Sequence, residues 1–526
     1  MKKQDSEGKM ILSENPATLE VNAEIPATPP QDVAGIMENA RIAQEEWAAI
    51  GPNDRARRLI HVKEHMLDRL DDVARTITLD NGKTLLEALN SEVYPVLDMF
   101  NFAAREAPSL LKDEPLKNQV FSIARLESRN VFEPLGVIGI VSPWNFPFAI
   151  PMTQIISALV AGNAVVLKPA ELTPLVGEMI GRLFSDSNFP DGLVNVVQGS
   201  GSEVGEALMA AHPDKMVFTG SVRVGRHLMK RAAELEPMIP ITLELGGKDP
   251  FIVLDDADIE RASSGAVWGA FINAGQVCAS VERVYVHTKV ADEFIQKVVE
   301  KTKKLRIGNG LEHGVDVGPM ISENQLSLVE KHVRAAVEKG AEIAAGGRRV
   351  RSFSGHFYEP TVLLNVDHGM ECMTEETFGP TLPVQIVSDA EEAVELANDS
   401  VFGLTGSVWS RDTAKADRIA RRIRTGVAVV NNCLLTYGFA QCPWGGVKDS
   451  GIGRTHSAHG LYEFTSIKNL TVNKPVLKED LWWYPYSENK YKAMKSAMKT
   501  MFCEGLVCKR EGILDVFRNF NLLRKK

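Results

Sequence analysis

From about Val131 onwards, short β-branched runs alternate with stretches of helical periodicity, and this alternation constrains the fold more than any other feature. Val137–Val141, Ala164–Leu167, Val194–Val197 and Lys215–Phe218 are such runs, and Phe251–Val253 and Val284–His287 continue the series. Strands buried on both faces read as continuous apolar strings, which parallel sheets covered by crossover helices require. The class predicted is α/β, with a second α/β stretch from about 247 to 446. Upstream, 31–49 and 54–78 have helical spacing, and 1–30, with Pro16, Pro26, Pro29 and Pro30, reads as irregular.

The 526 residues predict about three domains. At 44% hydrophobic and 24% charged, the chain is neither disordered, collagenous nor a disulfide scaffold. Its 59 Lys and Arg against 68 Asp and Glu argue against nucleic acid as a partner. The charge is uneven, because residues 469–526 carry +6 and the rest −15. Cysteines at 278, 372, 433, 442, 503 and 508 form no CxxC pair and no metal spacing, so mostly reduced thiols and no metal are expected. Met1–Glu7 is polar with no apolar h-region, and no run reaches about 18 apolar residues, so a soluble, cytoplasmic protein is predicted.

Several short clusters carry chemistry. Gly199-Ser200-Gly201-Ser202-Glu203-Val204-Gly205 nearly matches a dinucleotide fingerprint, but its last interval is one residue too long, and a plain turn before a helix explains it as well. Phe218-Thr219-Gly220-Ser221 places a tight turn between a strand and a helix, either an ordinary βα turn or a place where backbone N–H groups can meet an anion. Cys278 lies in a glycine-containing loop before a strand, as either a nucleophile or an inert thiol. Glu244, among apolar neighbours and ahead of Gly246-Gly247, is a base of raised pKa or a surface carboxylate. Pro143-Trp144-Asn145-Phe146-Pro147 fixes an amide that can serve an oxyanion or cap the next helix.

Together these clusters resemble the NAD(P)-dependent aldehyde dehydrogenase superfamily from about Asn15 to Ile467. The matching elements include Leu167-Lys168-Pro169-Ala170-Glu171, Leu243-Glu244-Leu245-Gly246-Gly247-Lys248 and Gly275-Gln276-Val277-Cys278. Glu376-Thr377-Phe378-Gly379-Pro380 and Pro443-Trp444-Gly445-Gly446-Val447-Lys448 complete them. The resemblance implies Cys278 as nucleophile, Glu244 as general base, and Asn145 with the Cys278 N–H as oxyanion hole. It implies cofactor contacts from Trp144, Lys168, Glu171, Gly220, Ser221, Glu376 and Phe378, and a substrate tunnel formed by Phe146, Ile150, Thr153 and Trp444, with Tyr437 nearby. A carboxylate at Glu171 repels a 2′-phosphate, which favours NAD over NADP. None of the tunnel positions is Lys or Arg, so an aliphatic or aromatic aldehyde is expected to be oxidised to its acid. Transfer of the acyl group to coenzyme A is the alternative, disfavoured by Glu244, and a silent binding protein of the same fold is another.

The implied fold is two Rossmann-like domains with a small β oligomerisation bridge. The cofactor domain spans 1–114 and 135–246, the catalytic domain 247–446, and the bridge 115–134 and 461–475, which implies a homodimer or homotetramer. Residues 476–526 are a basic aromatic extension. Tyr491, Met494, Met498, Met501 and Phe502 fall on one helical side, and Ile513, Leu514 and Phe517 suggest a second short helix. Such stripes usually mark a packed face, here against the acidic body or a sister subunit, with peripheral membrane contact as the alternative.

Overall fold

The apolar runs become buried strands of two mainly parallel sheets. The computed structural model describes residues 9–117, 126–474, 480 and 482–523. The first sheet has the order Gly451–Ile452, Ile241–Glu244, Lys215–Thr219, Val137–Val141, Ala164–Lys168, Val194–Val196. Its pairs are parallel except at Gly451–Ile452, where Gly451 lies opposite Glu244. The second has the order Glu342–Ala345, Thr361–Leu364, Thr381–Val387, Val281–His287, Asp249–Val253, Ser407–Trp409, Val429–Val430. Its antiparallel pair lies at the Glu342–Ala345 edge. This is the α/β class that the alternation predicts. Beside the first sheet, helix Ala149–Ala161 carries no charged residue and is buried at every position, as a helix apolar all round must be.

Two upstream expectations need correction. Residues 54–78 form two helices, Pro52–Leu67 and Leu70–Asn81, because the polar pair Asp68-Arg69 interrupts the apolar face and Arg69 leaves helical geometry (φ −122°, ψ 24°). Residues 10–26 are not irregular. Met10–Glu14 and Val21–Pro26 form an antiparallel hairpin that buries alternate residues Ile11 and Ser13, with Pro16 in the turn and Pro26 at a strand end.

The chain divides into two units, Met1–Leu111 with Glu133–Ser466, and Lys112–Phe132 with Ile467–Lys526. Both large sheets belong to the first. The second contains a three-stranded sheet ordered Thr465–Asn473, Leu126–Pro134, Glu114–Leu116, and a pair of helices, Glu488–Phe502 and Leu506–Leu523. The second helix is longer than its apolar residues suggested. Cys503 and Cys508 are joined as a disulfide across the turn, and Cys278, Cys372, Cys433 and Cys442 are free thiols. The polar stretch Met1–Glu7, bridge residues 118–125 and 475, tail residues 476–479 and 481, the terminal Arg524–Lys526 and the Phe517 side chain lie outside the described residues.

Candidate active site

A cavity of about 310 Å³ gathers Glu244 from the end of strand Ile241–Glu244 with Val277, Cys278 and Ala279 from the loop ahead of Val281–His287. Phe146, Ile150, Tyr437 and Trp444 line it as well. No Lys, Arg or His is among these lining residues, and Glu244 is their single charged group.

The Cys278 loop is held in a shape that few sequences tolerate. Helix Ile259–Phe271 gives way to Asn273, Ala274 and Gly275, all left-handed, at φ 50°, 54° and 73°. For alanine this costs about 1–2 kcal/mol, so the surroundings must enforce it. At Gly275 a Cβ would fall 2.1 Å from the Gly379 carbonyl oxygen. The Asn273 N–H donates to Glu87 Oε1 (2.8 Å), and its side-chain amide donates to the Asn145 carbonyl (3.0 Å). Gln276 donates to the Asn273 carbonyl and accepts from the Ile321 N–H. Cys278 is thereby held half-buried at the cavity. Burial, with Glu376, Asp249 and Glu244 nearby, pushes its thiol above the ordinary range.

Glu244 is buried, and neither carboxylate oxygen has a hydrogen-bond partner among the described residues. Desolvation lifts its pKa well above the carboxylate range, against the opposing pull of the Arg454 guanidinium. This is the direction its apolar neighbours imply.

Asn145 is not a helix cap. The N–H groups of Phe148 and Ala149, which open helix Ala149–Ala161, donate instead to Glu92 Oε2 at 2.9 and 2.8 Å. Asn145 Nδ2 donates to the Gln276 carbonyl (3.0 Å), two residues before Cys278, so the amide and the Cys278 loop are tied together.

The residues assigned to a cofactor lie off the cavity lining. Ser221 caps helix Val222–Glu234 by accepting from the Val224 N–H, and the Gly220 N–H donates to the Glu244 carbonyl. Lys168, at the end of Ala164–Lys168, donates to the carbonyls of Pro169 (2.7 Å) and Gly199 (2.9 Å). Burial pulls its pKa down to about 8. Glu171 is exposed. Residues 199–205 form a turn and a single helical turn capped by Ser200, with no further feature of a fingerprint. Glu376 accepts from the Gly247 N–H (3.1 Å), and burial raises its pKa to about 8. Gly246 and Gly247 make this approach feasible, because a Cβ at the first would strike the Glu376 carboxylate (2.4 Å) and at the second the Cys278 carbonyl (2.3 Å). Trp144 and Phe378 meet edge-on at 5.3 Å. Thr153 does not line the cavity; its hydroxyl lies 3.4 Å from that of Tyr437.

These groups fit a dinucleotide. A capped helix N-terminus suits a pyrophosphate. Two of the three Lys168 ammonium hydrogens have acceptors, which leaves one for a ribose hydroxyl. Among the described residues no group of His, Cys, Asp or Glu could hold a metal ion.

The aldehyde dehydrogenase family model matches residues 3–470. The chain belongs to the aldehyde dehydrogenase family. It is thus an NAD(P)-dependent enzyme of aldehyde oxidation. This dehydrogenase is 40% identical to 4,4′-diapolycopene aldehyde oxidase of a Methylomonas species, over 94% of its own length and 93% of the relative's. It is 39% identical to a probable NADP⁺ succinate-semialdehyde dehydrogenase of Sinorhizobium fredii, over 87% and 92%. Betaine aldehyde dehydrogenase of Staphylococcus aureus, solved in complex with NAD⁺, superposes with a TM-score of 0.84 at 35% identity, over 91% and 94%.

Two supports of this aldehyde dehydrogenase's site escaped the sequence. Lys83 and Glu92 form a fully buried pair at 2.7 Å. Lys83 Nζ also donates to the Asn145 carbonyl (2.8 Å) and lies 3.9 Å from the Phe146 ring centre. In the second, Glu282 accepts from Lys248 Nζ (2.5 Å) and from the N–H groups of Thr377 and Phe378, which shapes the Glu376 loop. Glu87 did carry a signal, since Thr84-Leu85-Leu86-Glu87 is a capping box with both hydrogen bonds formed. Lys83 and Glu282 have no such local signature. Cavity residues Tyr94, Trp268, Leu434, Leu435 and Phe439 come from loops and helix faces whose convergence no spacing reveals.

Proposed function

We propose that this enzyme oxidises a neutral, apolar aldehyde, aliphatic or aromatic, to its carboxylic acid with NAD, in the cytoplasm and as a homodimer or homotetramer. The observation that carries the reading is the meeting of Cys278 and a buried Glu244, without a hydrogen-bond partner among the described residues, in one cavity whose lining residues include no Lys, Arg or His. A succinate-like semialdehyde would bring a carboxylate into that cavity with nothing to pair it. The name of the Methylomonas relative, a diapolycopene aldehyde oxidase, agrees with an apolar substrate. The domain limits read from the sequence, 1–114 with 135–246 for the cofactor and 247–446 for catalysis, are part of this proposal.

In the reaction, Cys278 Sγ loses its proton and adds to the aldehyde carbon. Asn145 Nδ2 has a second hydrogen beyond the one given to Gln276, and with the Cys278 N–H it steadies the oxyanion. NAD, when bound, supplies the acceptor for the hydride that leaves this adduct. Cys278 then carries a thioester, and Glu244 takes a proton from the water that hydrolyses it, restoring the thiol and yielding the acid. Lys168 and Glu171 would hold the adenosine ribose, Gly220 and Ser221 the pyrophosphate, and Glu376, Phe378 and Trp144 the nicotinamide end.

The direct test is cofactor reduction by wild type and Cys278→Ala across aliphatic, aromatic and carboxylated aldehydes. Wild type is expected to prefer the apolar ones, and the variant to lose on the order of 10⁴-fold or more in rate. Preference for a carboxylated aldehyde, or turnover only with coenzyme A, would overturn the reading. For the cofactor, Glu171→Gln removes the charge that opposes a 2′-phosphate. The NADP-to-NAD ratio of kcat/KM is expected to rise about tenfold, checked by steady-state kinetics with each dinucleotide.

A further inference from the structure

The helical pair at the C-terminus presents three distinct faces. Ala493 and Ser496 are buried, and Gly512 lies so close to Thr500 that a Cβ there would meet its Oγ1 at 2.7 Å and its backbone nitrogen at 2.8 Å. This small-residue face packs the two helices together. The aromatic stripe is not part of this contact. Tyr491, Met498 and Phe502, on another side of helix Glu488–Phe502, are 67%, 52% and 74% exposed. At 100° per residue they fall within about 40° of one another. Lys495 and Lys499, both exposed, follow immediately around the helix, with Lys492 beyond them.

The exposed apolar surface continues past both ends of that helix. Before it stand Trp482, Trp483, Tyr484 and Tyr486, each more than half exposed, and after it Leu506 and Val507. Lys509 and Arg510 follow, exposed on helix Leu506–Leu523. Water does not favour an uncovered array of Trp, Tyr, Phe and Leu of this extent. Its composition is that of an interfacial segment, with aromatic rings at headgroup depth, an apolar stripe below, and lysines along the boundary whose stems lie on apolar surface while their ammonium groups stay in water. No helix among the described residues is long and apolar enough to cross a membrane. The charge supplies the partner's sign, since residues 469–526 carry +6 while the rest of the chain carries −15. An anionic surface attracts the tail and repels the body, so contact is directed to one end of the chain.

We propose that residues 482–514 dock this enzyme on the surface of an anionic lipid bilayer, through the Trp482–Tyr486 cluster and the Tyr491, Met498 and Phe502 stripe, with Lys495, Lys499, Lys509 and Arg510 against lipid phosphates. The docking stands apart from the choice of aldehyde, because it rests on surface groups alone.

The full-length protein would be floated with vesicles of phosphatidylcholine alone and of phosphatidylcholine with phosphatidylglycerol. It is expected to float with the phosphatidylglycerol vesicles and to fall off as salt rises, because the Debye length shrinks from about 10 Å at 0.1 M to about 3 Å at 1 M. Phe502→Glu with Met498→Glu, and separately Lys495→Glu with Lys499→Glu, are each expected to lower the bound fraction at least about tenfold. Both double variants should retain wild-type kcat on a small water-soluble aldehyde, which shows that the enzyme is folded. Absence of flotation by wild type, or flotation untouched by both variant pairs, overturns the proposal. So does a fall in the oligomer's mass, by light scattering, in the Met498/Phe502 pair without loss of flotation, since the stripe would then be covered by a second copy of the chain.

Discussion

Glu244→Gln is expected to yield a single burst of reduced cofactor per active site and then almost nothing. The substitution keeps the side chain's volume in a buried position. It breaks no hydrogen bond, since neither carboxylate oxygen has a partner among the described residues. The Cys278 thiol, the Asn145 amide and the cofactor contacts are untouched, so the oxidation that builds the thioester goes ahead. Hydrolysis of that thioester then lacks its base and slows by about 10²–10⁴-fold. Rapid-mixing kinetics separates the two phases, and Cys278→Ala should give no burst. Wild-type hydrolysis carries a matching pH signature. Glu244 acts only when ionised, and burial holds its pKa above the usual carboxylate range. Steady-state rate should therefore climb with pH through a value displaced upward from that of a free carboxylate, and in the Gln variant this limb should vanish. Equal losses of burst and steady state in Glu244→Gln would remove it as the water base.

The second large effect is on stability. In Lys83→Met the Glu92 carboxylate, fully buried and bonded to Phe148 and Ala149 N–H groups, loses its cation. Leaving such a charge uncompensated costs about 3–5 kcal/mol, and thermal melts should show it. The same change removes the bond from Lys83 Nζ to the Asn145 carbonyl, so the amide is less well placed and kcat should fall with KM little altered. The double variant Lys83→Met, Glu92→Gln separates these consequences. It should recover most of the lost stability, because position 92 no longer carries a buried charge, and little of the lost kcat, because Asn145 is still unsupported. Recovery of both together would assign Lys83 to the fold alone.

The parts of the enzyme legible in its sequence are those where chemistry and local pattern coincide. Strands such as Val137–Val141 and Ala164–Lys168 are apolar because both faces of a parallel sheet are covered, and they lie where the runs predicted. Cys278 and Glu244 stand beside glycines that let backbone approach backbone, but residue type and neighbours left each with two readings, and the family resemblance suggested the choice. What escaped was long-range support. Lys83 and Asn145 are 62 residues apart, and Lys248 and Glu282 are 34 apart. Nothing in the flanking residues marks either pair, because a buried ion pair is specified by the fold that closes around it. Asn145 itself left two readings open, amide donor or helix cap, and Glu92 excludes the second by taking the cap's place from a distant helix. The Cys503–Cys508 link likewise had no motif to announce it, since it joins residues brought together by a helical turn-back.

The absence of a lining cation also bears on how a turnover ends. On the function proposed here, a neutral aldehyde enters an apolar cavity favourably, and hydrolysis at Cys278 converts it to an anion in the same space. That anion meets no Lys, Arg or His among the lining residues, and it faces Glu244. Desolvation works against its staying. On that chemistry, the apolar lining that favours the substrate disfavours its product.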